Sequence, residues 1–119
     1  MAQFEVVYYT SPAGAQPIEE FLAELPVKAR AKCLSYIQLF IDQGFGLPRA
    51  ILAKVEGKIW ELRPEYNGIE YRILFTFISP QAIMVHAVVK KRGNLKRRDI
   101  DLARQRAREV EEYYASGDR

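Results

Sequence analysis

The sequence holds one cysteine, Cys33, and one histidine, His86, among 119 residues. A lone cysteine closes no internal disulfide, and one Cys with one His cannot supply the four ligands of a structural zinc site. Nothing here argues for a secreted, disulfide-stapled scaffold. No apolar run approaches the roughly 18 residues of a membrane span. The opening stretch, MAQFEVVYYT, lacks a basic segment followed by an apolar one, so no signal peptide is expected and the chain reads as cytoplasmic. Acidic residues are missing from Lys90–Arg98, where six of nine residues are Lys or Arg. No acidic cluster suited to a metal is evident, and neither metal nor cofactor is expected.

What is present suits a folded domain. An apolar content of 49% excludes disorder throughout the chain, and 119 residues fit one domain, 1–119, with one core. The net charge of +3 conceals an asymmetry. Residues 1–62 carry 6 Lys/Arg against 7 Asp/Glu, whereas residues 63–119 carry 12 against 8. Such asymmetry points to a polyanionic partner, nucleic acid first, although a charge run also serves as a plain solvated face.

Hydrophobic periodicity gives the element order. Gln3–Tyr9 reads as a strand, broken by Ser11-Pro12-Ala13-Gly14. Pro17 suits a first helical turn, and Ile18, Phe21, Leu22 and Leu25 form an amphipathic stripe. Pro26 opens a second helix whose stripe of Ala29, Cys33, Leu34, Ile37, Phe40 and Ile41 ends at Gly44. The period then becomes two. Strands are expected at Ile51–Val55, Ile59–Leu62, Glu70–Ile78 and Ala82–Val89, with turns at Glu56-Gly57-Lys58, Tyr66-Asn67-Gly68 and Ser79-Pro80-Gln81. Lys96–Tyr114 is helical again. The expected fold is α+β in the order β-α-α-β-β-β-β-α, a mainly antiparallel sheet with the helices packed on one face.

Alternation assigns the side chains to faces. Tyr71, Ile73, Phe75 and Phe77, with Ile83, Val85, Ala87 and Val89, should meet the helices. The opposite rows hold Arg72, Leu74 and Thr76, then Met84, His86, Val88 and Lys90. A hairpin turning at Ser79–Gln81 sets Leu74 opposite His86 and Arg72 opposite Val88. Arg63, Arg72, His86 and Lys90 then share an open face, bordered by Lys91, Arg92 and Lys96-Arg97-Arg98. Such a set suits metal-independent RNA cleavage by the neighbouring 2′-hydroxyl. That reaction needs a base, cationic charge for the phosphorane and an acid for the leaving 5′-oxygen. Histidine is the default proton-transfer group, Lys90 or Lys91 the second candidates, and arginines supply phosphate contacts. The competing reading is structural: His86 satisfied on a strand, Arg72 paired with Glu61 or Glu70, Trp60 and Cys33 in the core. Tyr113 and Tyr114 either stack a base or cap the fold.

The run Gly57-Lys58-Ile59-Trp60-Glu61-Leu62-Arg63, then Tyr71-Arg72-Ile73-Leu74, then His86 and Lys90-Lys91, resembles the RelE/ParE toxin superfamily, in its phage-derived HigB-like branch. Asp99-Ile100, Ala103 and Arg104 resemble the helix that follows there, and Leu25-Pro26 agrees with its helical hairpin. The resemblance implies a RelE-like fold and the toxin of a type II toxin–antitoxin pair, a ribosome-dependent mRNA endonuclease that arrests translation. It implies catalytic roles for Arg63, Arg72, His86, Lys90 and Lys91, and RNA contacts by Arg92, Lys96, Arg97 and Arg98. Its partners would be the ribosome, mRNA and a cognate antitoxin, usually a helix-turn-helix DNA-binding protein. The chain departs from the branch after Lys91, where Arg92-Gly93-Asn94-Leu95 replaces Thr residues and a Pro. Two other classes stay open: a non-catalytic ParE-like inhibitor of DNA gyrase, and an inactive module binding RNA or an antitoxin.

Overall fold

The computed structural model describes residues 4–90 and 93–117. In chain order the elements are β1 (Glu5–Tyr8), α1 (Pro17–Glu24), α2 (Val27–Gln43), a 3-10 turn (Gly44–Gly46), β2 (Leu52–Glu56), β3 (Ile59–Leu62), β4 (Glu65–Tyr66), β5 (Ile69–Ile78), β6 (Gln81–Lys90) and α3 (Arg97–Ala115). The expected α+β class and element order hold, with the short β4 added.

Local chemistry explains the boundaries. Pro17 sits in the first turn of α1, where a missing N–H costs nothing, and Glu19 and Glu20 face the positive end of the helix. Leu25, just before Pro26, is extended (φ −76°, ψ 151°), as a residue preceding proline prefers, so α1 and α2 form a hairpin and not one rod. Arg30 of α2 reaches back to the end of α1. Its Nε donates to Leu22 O at 2.8 Å, and its Nη2 to Ala23 O and Leu25 O at 3.0 and 3.2 Å. The Ala23 and Leu25 carbonyls at the end of the helix are thereby satisfied, and Leu22 O, which also accepts from Leu25 N–H, gains a second donor. Gly44 ends α2 at φ 68°, with the Phe4 ring 3.0 Å from where a Cβ would stand. Asn67 and Gly68, both at positive φ (55° and 80°), turn β4 into β5 in the manner of an Asn-Gly hairpin.

The sheet order is β1-β6-β5-β3-β2, with β4 pairing β5. Strands β2, β3, β5 and β6 make the expected antiparallel meander. The first strand closes the sheet by pairing with β6 in parallel.

The helices do not share one face, contrary to expectation. The α1–α2 hairpin covers one side, where Ile18, Leu22, Cys33, Ile37 and Phe40 pack with Leu62, Tyr71, Ile73 and Phe75. On the other side α3 packs Ala103 and Ala107 against Ile59, Leu74, Ile83 and Val85. Neighbours on β5 thus enter different cores: Phe75 stacks on Phe40 at 5.0 Å, whereas Leu74 meets α3. The physical reason is that β5 and β6 are apolar on both faces over Ile73–Phe75 and Ala82–Val85, so one layer of helix cannot bury them.

A register shift explains the misassigned row. Leu74 pairs with His86 but Phe75 with Met84, leaving Val85 as an extra residue. The bulge turns Ile83 and Val85 toward α3 and places Met84 in the hairpin-side core, the reverse of simple alternation. Beyond it, Leu74 lies opposite His86 and Arg72 opposite Val88, as expected. Arg106 of α3 donates from Nη1 to Val85 O at 2.7 Å, so α3 grips the bulge itself.

Candidate functional site

The α3 side of the sheet gathers the polar residues of β3, β5 and β6 at the end where α3 begins. His86 and Asp99 are its closest pair: Nε2 lies 2.9 Å from Oδ1, with side chains 15% and 16% exposed. Asp99 stands in the first turn of α3, where a carboxylate also meets the positive helix end. An acceptor on one ring nitrogen fixes the orientation and tautomer of a neutral imidazole and leaves the other nitrogen as the lone-pair base. The sequence suggested His86 but no role for Asp99 beyond a match to the family helix. The usable signal was an acidic residue opening a helix just after the strand that carries the lone histidine.

Arg72 lies two residues from Leu74, the cross-strand partner of His86, and on the same face. Its environment is not that of a phosphate-binding arginine. Nη1 donates to Glu61 Oε1 at 3.1 Å and Nη2 to Glu70 Oε1 at 2.6 Å, and the residue is 6% exposed. This is the cross-strand pairing that the sequence offered as the structural alternative. Burial alone would lower the guanidinium pKa, but hydrogen bonds and charge from Glu70 and Glu61 outweigh it and raise it. The Glu70 carboxyl is held below its usual range, first by the Arg72 hydrogen bond and then, against the cost of burial, by the charges of Arg72, Arg63 and Lys90. These last two cations therefore stand close to the same carboxylate.

The other expected site residues fall into three groups. Arg63 is half-buried, with Nη1 at 3.3 Å from Arg49 O, and Lys90 donates from Nζ to Asn94 O at 2.6 Å. Both hydrogen-bond backbone carbonyls, and both act electrostatically on Glu70. Lys96 and Arg98 are exposed at the start of α3. Arg97 is committed elsewhere: it grips Glu56 through Nη1 and Nη2 at 2.8 and 2.6 Å and bonds Asp101 from Nε at 3.0 Å. Arg104 pairs with the same Glu56. These bonds, the Arg97 one foremost, hold the Glu56 carboxyl down at about 2. Lys91 and Arg92 lie outside the described residues.

Cys33 is fully buried in the hairpin-side core, and burial pushes its thiol up to about 11. Trp60 is only half-buried, at the margin of that core. Among the described residues no three His, Cys, Asp or Glu side chains converge on a possible metal position, and no helix is long and apolar enough to cross a membrane.

Fold and site together define a small α+β protein with a histidine–aspartate pair beside a group of exposed cations. The family model for phage-derived protein Gp49-like (DUF891) matches residues 20–108, and the chain belongs to that family. The match runs from α1 into α3 and includes Arg63, Arg72, His86 and Asp99. No curated protein matches the chain.

Proposed function

We propose that this protein is the toxin of a type II toxin–antitoxin pair, of the HigB-like kind within the RelE/ParE superfamily, and that it cleaves translated mRNA on the ribosome. The observation that carries this reading is the His86–Asp99 pair, 2.9 Å apart on the sheet face that also holds Lys90. Asp99 accepts from Nε2–H, and Nδ1 takes the proton of a 2′-hydroxyl. The O2′–P bond forms, a phosphorane develops, the P–O5′ bond breaks and the leaving 5′-oxygen takes a proton from the Lys90 ammonium, which regains it from water. The products are a 2′,3′-cyclic phosphate and a 5′-hydroxyl. Lys90 and Arg63, with exposed Lys96 and Arg98, offset the phosphate charge. Lys91 and Arg92 belong to the same proposed contact by sequence. Arg72 acts on this site as a positioning residue, because its guanidinium is already enclosed by Glu61 and Glu70. Few catalytic groups are offered, so orientation of the message by the ribosome supplies much of the rate. The expected protein partner is a cognate antitoxin with a DNA-binding helix-turn-helix.

The test is induction of wild type, His86→Gln and Asp99→Asn in cells, with mRNA 5′ ends mapped within minutes. New cuts inside reading frames, seen with wild type and strongly reduced in both variants, are the expected result. A second reading draws on the sequestration of Arg72: a non-catalytic ParE-like inhibitor of gyrase, or an RNA- or antitoxin-binding module. Growth arrest without new 5′ ends, equal in wild type and His86→Gln, supports the gyrase reading. No arrest at all leaves the binding module.

A further inference from the structure

The hairpin side of the sheet carries a second feature, on the face opposite His86. Phe45, from the 3-10 turn after α2, is 38% exposed and packs edge-on against Trp60 at 5.0 Å and Phe77 at 5.1 Å between ring centroids. The three rings form a corner around an opening of about 430 Å³, whose rim is completed by Lys54 and Lys58. Lys54, the cross-strand partner of Trp60, holds its ammonium 5.1 Å from the indole centroid. Lys58 is 77% exposed and reaches Glu111 at 3.1 Å. Among the described residues no acidic side chain lines the opening. Core packing accounts for the inner faces of the rings. It does not account for an aromatic corner left open to solvent with two lysines at its lip.

Aromatic surface beside ammonium groups, with no carboxylate in the lining, is complementary to a planar aromatic ring bearing an anion. We propose that this corner binds single-stranded RNA through one nucleotide, its base on the Phe45 and Trp60 rings and its phosphate at Lys54. The opening is of the size that takes a small ligand. Trp60 lies on the sheet face away from His86: its partner Phe75 enters the hairpin-side core, whereas Leu74, the partner of His86, enters the α3 side. The corner is thus a separate contact for the strand, and its existence does not depend on whether the protein cleaves RNA.

Trp60 is the only tryptophan, so its fluorescence reports this corner alone. The experiment titrates the purified full chain with 2′-O-methyl hexauridine, which cannot be cut by 2′-hydroxyl attack. Saturable quenching is expected, weakening with salt as phosphate contacts do. Lys54→Glu, at an exposed position and checked for an unchanged circular dichroism spectrum, should raise the dissociation constant tenfold or more. Lys28→Glu, which changes net charge equally at an exposed site on α2, should change it less than twofold. Absence of saturable quenching overturns the proposal, as do equal losses in the two variants. Quenching by an acidic peptide but not by the oligonucleotide also overturns it, in favour of a protein partner.

Discussion

His86 Nε2 and Asp99 Oδ1 lie 2.9 Å apart, and this contact joins the middle of β6 to the first turn of α3. Two residues thirteen apart are brought together because the chain leaves β6 at the sheet margin and returns over its open face as α3. Val85, the bulged residue next to His86, is held by Arg106 two turns further along the same helix. The helix therefore both orients the histidine and fixes the backbone beside it.

If His86 transfers the proton, His86→Gln lowers cleavage about 10²- to 10⁴-fold, the usual contribution of a positioned acid or base. Asp99→Asn keeps the hydrogen-bonding shape and lowers cleavage less. Single-turnover cleavage of ribosome-bound mRNA measures both. A His86→Gln variant with unchanged rate would remove the histidine from the proposed mechanism.

Arg72→Ala destabilises the fold by about 3–5 kcal/mol, because it leaves Glu61 buried without its partner. The Arg72 and Glu61 side chains are 7% and 10% exposed, so solvent does little to relieve the loss. Urea denaturation of wild type and variant gives the difference. A loss below 1 kcal/mol would show that the pair is solvated. For the proposed activity, any loss in this variant reports folding before it reports chemistry, and the His86 and Asp99 substitutions are the cleaner probes.

Glu56, whose carboxyl sits at about 2 in the folded chain against an ordinary 4.5, predicts a pH window. A depressed folded pKa stabilises the fold above the unfolded value, and the contribution is lost as pH falls from about 4.5 toward 2. Glu56→Gln should therefore be less stable than wild type at pH 7 and should converge with it by about pH 2. Denaturant midpoints across that range test it. The gap should also narrow in 1 M salt, since Arg97 and Arg104 lie at the surface. A gap independent of pH would point to packing instead.

Cys33, fully buried with its thiol raised to about 11, should resist thiol reagents at pH 8 in the native protein and react at once in denaturant. The native rate should follow global opening and rise in destabilised variants such as Arg72→Ala. Rapid native labelling would mean that the α2 packing opens locally.

Much of this architecture is legible in the residues. Pro17, Leu25-Pro26 and Gly44 bound the helices, and Asn67-Gly68 turns the hairpin, because each acts through its own backbone geometry. The α1 and α2 stripes name most of the buried residues, Cys33 among them, because a period of 3.6 fixes one face of a helix; Leu34, expected in the α2 stripe, is instead 44% exposed at its edge. The spacing of Glu61-Leu62-Arg63, Tyr71-Arg72 and Lys90-Lys91 also brings His86 and its basic neighbours into view. Periodicity gives the apolar side of an element but not the surface it will meet. Hence it took the tertiary structure to send α3 to the opposite face, to set β1 parallel beside β6, and to reverse Ile83 and Val85 through one extra residue. Charge behaves likewise. The sequence determined how many cations this protein carries and where they cluster. The sequence offered Arg72 paired with Glu61 or Glu70 as one of two readings; only the tertiary structure decided for it, and decided that Arg97 is held by Glu56 and that Asp99 comes to His86, because an ion pair between distant segments depends on angstroms and not on their order along the chain.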